Sequence, residues 1–227
     1  MDKATYARIE TYMLDCMKDS AHDREHVVRV LYFALDIAKT ESGVNTDALI
    51  AACLLHDIGR EEQYRNPKLR HERIGSEKAY HFLRGIGWPE AEAGRVRDCI
   101  ASHSYRGGTP PASIEAKIVF DADKLDAVGT LGIARTLQYQ GAVGEPLYSV
   151  DAQGSVSGGA NDARPSFFRE YKFKLETLYD RFYTDRAREI ASGRRRSAEV
   201  FYNGMLWEVR ACYENGRRAL CDAIGEA

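Results

Sequence analysis

The chain has 227 residues, 44% of them hydrophobic, enough to bury a substantial core in one domain. Its formal net charge of -2 and isoelectric point near 6.3 give no electrostatic case for a nucleic-acid polymer as partner. No apolar run reaches membrane-spanning length, no leader pattern opens the sequence, and five scattered cysteines without a Cys-x-x-Cys pair read as reduced packing thiols, so a cytoplasmic protein is expected.

Nearly every periodic segment has the helical period. Residues 4–18 put Tyr6, Ile9, Met13 and Met17 on one face. Residues 23–39 repeat the pattern with Val27, Val30, Leu31, Ala34, Leu35 and Ala38, and stop before Gly43. Thr46 can cap a third helix that carries Leu49, Ala52, Cys53 and Leu55 up to Gly59. Residues 60–70 are charged and contain Pro67, so they read as a loop. A helix follows from about Glu72 to Leu83 and stops at Gly85-Ile86-Gly87. Pro89 is placed to open the next, which runs through Val96 and Ile100 to His103.

The Gly107-Gly108-Thr109-Pro110-Pro111 stretch is a break, and Ser113 starts the helix that bears Asp121 and Asp123. Residues 141–163, rich in Gly, Ser, Asp and Asn, form the longest expected loop. Two helical patterns close the chain, at about 166–191 and 197–213, with Arg194-Arg195-Arg196 at the start of the last. There are no repeats and no convincing strand, so the expected fold is an all-α bundle in a single domain, residues 1–227.

Within this frame, Ala51-Ala52-Cys53-Leu54-Leu55-His56-Asp57-Ile58-Gly59 sets an imidazole and a carboxylate at the end of an apolar run. Buried groups of this kind are costly without a partner, and a metal ion is a common one. His26 sits on the apolar face of an upstream helix beside Val30, and Asp121-Ala122-Asp123-Lys124-Leu125-Asp126 lies on a downstream one. His56 and Asp57, as neighbours, point about 100° apart on a helix and reach one ion only near its end, where Gly59 stops it. Asp121 and Asp123 diverge, so one ion takes only one of them. The set offers nitrogen and oxygen ligands suited to a divalent transition metal. Each element alone also fits a bland role: a hydrogen-bonded structural histidine, or a solvated acidic helix start.

The order His26, His56-Asp57, Asp123 resembles the H…HD…D signature of the HD-domain metal-dependent phosphohydrolases. Arg24-Glu25-His26-Val27-Val28-Arg29-Val30, Ser102-His103-Ser104-Tyr105-Arg106 and Asp121-Ala122-Asp123-Lys124-Leu125-Asp126-Ala127 extend the likeness to small stand-alone bacterial HD hydrolases. It covers about residues 20–140 well and the C-terminal helices (166–213), expected to pack on that core, more loosely. The resemblance implies an HD-domain helical bundle, a divalent metal (Mn2+, Mg2+, Ni2+ or Fe2+) and cleavage of a phosphoester or phosphoanhydride bond, most often in a nucleotide. It also selects Asp123, directly before the basic residue, over Asp121. The expected metal ligands are thus His26, His56, Asp57 and Asp123, with Asp57 or a nearby carboxylate orienting the attacking water. No Gly-Tyr-Pro sequence follows the His-Asp pair, which argues against the cyclic-dinucleotide branch.

His71 and His103 lie between the His-Asp pair and Asp123, an order that some HD relatives use to hold two metals, di-iron oxygenases among them. In its charged setting, Arg70-His71-Glu72-Arg73, a general-acid or phosphate-contacting role is expected for His71 ahead of second-metal ligation, and the same for His103. His103 and Arg106 are expected at the mouth of the site. Lys124, Arg106 and Arg135 are candidate phosphate contacts, and Tyr105 could stack on a base. Arg194-Arg195-Arg196 is the weakest anion candidate, and His22 and His81 read as structural or surface residues. Two further readings stay open: a di-iron oxygenase, and a non-catalytic module that senses a nucleotide.

Overall fold

The computed structural model describes residues 1–17, 24–104 and 109–225. They form two compact units, one of Met1–Asp126 with Phe182–Glu189, the other of Ala127–Arg181 with the chain from Ile190 onward. Among the described residues all regular structure is helical apart from one isolated bridge, Val150 to Val156. The fold is the all-α bundle that the periodicity predicts.

The first unit contains α1 (Lys3–Cys16), α2 (Arg24–Ala38), α3 (Thr46–Leu55), α4 (Arg60–Arg65), α5 (His71–Gly85), α6 (Glu90–Ser102) and α7 (Ile114–Leu125). Its centre is α3, on which Ala48, Leu49 and every residue from Ala51 to Leu55 are buried. Each of its leucines contributes about 1.5–3 kcal/mol relative to an exposed one. Around it α2, α5, α6 and α7 turn their apolar faces inward. On α2 that face is Val27, Val30, Phe33, Ala34 and Ile37. Leu35, expected inside, is exposed, because the stripe follows Phe33 and Ile37 instead.

Helix starts are set by side-chain acceptors. Asp2 accepts from Thr5 N, Asn45 from Ala48 N and Ser113 from Ala116 N, each satisfying an amide that lacks an intrahelical partner. Asn45, not Thr46, is therefore the cap of α3. The charged stretch read as a loop begins with a six-residue helix, α4, held by Gln63 N to Gly59 O and Asn66 N to Glu62 O. Gly59 itself admits no side chain. A Cβ there would stand 2.3 Å from His71 O and 2.8 Å from Gly75 N, so the turn after α3 meets α5 backbone against backbone.

The second unit contains α8 (Gly129–Val143), α9 (Phe167–Glu170), a π turn (Tyr171–Leu175), a 3-10 turn (Leu178–Asp180) and most of α10 (Asp185–Ile224). Its core is aromatic: Phe167, Phe168 and Tyr171 are buried, and Tyr171 stacks on Tyr202 at 4.1 Å. The long loop before α9 is organised by Asp162, which accepts from Ser149 and Ser157, and by Tyr202 OH, which donates to Gly158 O. Two boundaries differ from the sequence reading. The 166–191 pattern is broken by the π turn and the turn at 181–184, whereas α10 runs unbroken for 40 residues. Arg194-Arg195-Arg196 consequently lies inside α10, not at its start.

Candidate metal centre

Six candidate groups come from helix ends of the first unit. His26 stands in the first turn of α2, His56 and Asp57 follow α3, His71 opens α5, His103 caps the end of α6, and Asp123 lies in the last turn of α7. Side chains splay at such ends, and the helices converge there. His26, His56, Asp57, His71 and His103 are buried, and the Asp123 side chain keeps 14% exposure.

The ligand atoms sort into two groups: His26, His56 and Asp123, then Asp57, His71 and His103. Within each, the atoms lie within 4.8 Å of one another. The imidazoles meet through Nε2, with His26 3.2 Å from His56 and His71 3.3 Å from His103. Asp57 stands between the groups. Its Oδ2 lies 3.8 Å from His26 Nε2 and 3.5 Å from His56 Nε2, while its Oδ1 lies 3.6 Å from His71 Nε2 and 3.5 Å from His103 Nε2. The four expected ligands, His26, His56, Asp57 and Asp123, are thus brought together, and both remaining histidines join them.

Protonation states suit cation binding. Burial pushes the His56 imidazole down to about 4 against the opposing pull of Asp57 and Asp123. Burial, with the Arg60 guanidinium nearby, drives His71 further down, so both rings are neutral near pH 7, as ligation requires. Burial raises the Asp123 carboxyl, but Lys124, His26 and His56 outweigh it and hold it well below the usual carboxylate range. Neutral His56 and His71 imidazoles beside an ionised Asp123 carboxylate fit a divalent transition metal.

Several expected positions change with the structure. His103 is fully buried rather than set at a mouth, and His71 is buried too, despite its charged neighbours. The neighbours account for this: Arg70 Nε donates to Glu72 Oε1, so the charges pair with each other while the ring turns inward. Lys124 is neither an exposed lysine nor a loose cation. Its amine donates to His103 O (3.0 Å) and to Asp123, and it lies over the Phe120 ring. Arg135 is half-buried on α8, in the second unit. Arg195 pairs with Glu199 and Asp180 on the surface of the second unit. His81 is exposed, as expected. Tyr105, Arg106 and His22 lie outside the described residues.

Asp121 has no part in either group. It accepts from Tyr183 N, Thr184 N and Thr184 Oγ1 and so fastens the start of α10. Three residues escaped the sequence reading. Arg60 donates through Nε to Asp57 Oδ1 at 2.9 Å; its signal was the position three residues after the His-Asp pair. Asp126 and Arg29, both inside the motifs, stand behind His26.

The HD domain family model matches residues 24–128, the stretch that carries all six groups. The chain is 35% identical over 212 residues to the uncharacterized protein YpgQ of Bacillus subtilis, covering 89% of each chain. A solved structure of YpgQ in complex with ADP superposes with a TM-score of 0.68 at 29% identity, over 90% of this chain and 97% of that one. An HD-superfamily hydrolase from Bacillus thuringiensis gives a TM-score of 0.67 at 28% identity, over 91% and 97%.

Proposed function

Since the chain belongs to the HD-domain family, we propose that it is a metal-dependent phosphohydrolase that cleaves a phosphoester or phosphoanhydride bond, with a nucleotide as substrate. The carrying observation is the Asp57 carboxylate, one oxygen toward His26 and His56, the other toward His71 and His103. Six N and O donors shared in this way have room for two divalent ions. We assign His26, His56 and Asp123 to one ion, His71 and His103 to the other, and Asp57 to both. Divalent ions held there would polarise the phosphoryl group and lower the pKa of an attacking water.

The residues of the chain supply the rest. Lys124 uses two of its three N–H donors on His103 O and Asp123, leaving the third for a phosphate oxygen. Arg60, about a quarter exposed beside Asp57, is a second contact for the charge that develops on that oxygen. Burial of His71 as a neutral ring weighs against a general-acid role for it and for ligation. The ADP bound to YpgQ supports a nucleotide as the phosphorylated partner.

A panel of phosphorylated metabolites assayed with each divalent metal tests the reading, and nucleotides are expected to turn over with at least one metal. No turnover anywhere in the panel overturns it. The same two-group arrangement also favours one rival, a di-iron oxygenase; two irons per chain together with oxygen uptake would establish that instead.

A further inference from the structure

Each of three candidate ligand imidazoles has a partner on its Nδ1, and the partners are of two kinds. His56 and His103 donate to main-chain carbonyls, Cys53 O at 2.8 Å and Ile100 O at 2.6 Å. His26 Nδ1 instead lies 2.7 Å from Asp126 Oδ2. Asp126 is fully buried and is gripped twice by Arg29, from Nε to Oδ1 at 2.7 Å and from Nη2 to Oδ2 at 3.1 Å. The spacing is reciprocal. Arg29 follows His26 by three residues on α2, and Asp126 follows Asp123 by three at the end of α7. Helix α7 therefore supplies the candidate ligand Asp123 and the carboxylate behind His26, while α2 supplies His26 and the guanidinium that holds that carboxylate.

The geometry points to Asp126, clamped by Arg29, as a positioning residue that fixes His26 as the Nδ1–H tautomer and turns its Nε2 lone pair toward His56, Asp57 and Asp123; this rests on the metal-dependent reading above. A carboxylate held by a bidentate guanidinium accepts hydrogen bonds and offers none, so the shared proton sits on Nδ1. An ionised acceptor also raises the donor strength of the opposite nitrogen more than a carbonyl does. His26 is thereby the strongest imidazole donor of its group, and the Arg29 clamp keeps Asp126 from rotating toward the cation itself.

The test compares the wild-type protein with Asp126→Asn, both prepared metal-free. In the wild type, long-range 1H–15N correlation should find the His26 proton on Nδ1. Asp126→Asn should keep its helical circular dichroism, lose about 10- to 100-fold in Mn2+ affinity by electron paramagnetic resonance titration, and shift the visible spectrum of the Co2+-loaded protein. If Asp126→Asn fails to fold because the half-buried Arg29 guanidinium loses its carboxylate partner, the double variant Asp126→Asn, Arg29→Gln removes both charges and is read the same way. A wild-type His26 protonated on Nε2, or a folded variant with unchanged Mn2+ affinity and Co2+ spectrum, overturns the role of Asp126. A wild type that binds no Mn2+ overturns the metal-dependent reading instead, and the tautomer alone then decides the case for Asp126.

Discussion

His71 and His103 face each other through their Nε2 atoms at 3.3 Å, deep in the first unit. His103 Nδ1 is engaged by Ile100 O, which leaves its lone pair on the facing nitrogen. Two buried rings in this pose need a shared proton or a shared cation between them. With Asp57 Oδ1 in reach of both, a cation is the better occupant.

His103→Ala should therefore lower bound metal by one equivalent per chain, measured by elemental analysis after loading with Mn2+. Turnover should fall by about 10²-fold or more. Full metal content with impaired turnover would return His103 to the role of acid or phosphate contact.

Asp57 borders both groups, so Asp57→Ala should cost the protein both ions, whereas His56→Ala should weaken one. Each loss of a ligand should remove several kcal/mol of metal binding and leave the helical content unchanged. A metal-replete His56→Ala protein with wild-type turnover would refute the site.

Asp121 and Asp123 separate structure from chemistry. Asp123→Asn should abolish metal retention at little cost in stability. Asp121→Asn should keep the metal and lose about 1–3 kcal/mol of stability, because it weakens the acceptor of the Tyr183 and Thr184 amides. Denaturant melts and metal analysis on the pair check both halves, and a reversed pattern would show that the register of α7 is misassigned.

Glu115 gives a dependence on pH away from the site. Burial raises its carboxyl, but the Asn45 and Glu115 amides, Ser113 and Arg95 prevail, so it titrates below the ordinary 4.5. Its stabilisation is complete above that value and is lost as the pH falls through the folded-state value. Glu115→Gln should be less stable than the wild type by about 1–3 kcal/mol at pH 7, with the gap narrowing below pH 4.5. Thermal melts across that range measure it, and a gap that does not change with pH would exclude the carboxylate.

The sequence shows His26, His56, Asp57 and Asp123 because each sits in or beside an apolar helical stretch where a polar group stands out. It hides the burial of His71, since Arg70 and Glu72 make the segment look solvated, although they pair and free the ring to turn inward. The helix α4 was missed for lack of any apolar period in six residues, four of them charged. A period also cannot show the π turn at 171–175, which inserts a residue into an otherwise continuous pattern. The separation that the pattern suggests between 191 and 197 is also absent, since α10 continues through Ser192-Gly193.

The contact of Gly59 with His71 O and Gly75 N acts as a hard stop between the strand of chain that carries His56-Asp57 and the one that carries His71. Peptide planes, not rotamers, then set how closely those two segments approach. A smaller ion at the proposed site would be met only by rotating side chains, since these two segments cannot close further. The lower limit on that spacing is built into the backbone, so beyond side-chain rotation only an exchange of ligand types would retune the proposed site for such an ion.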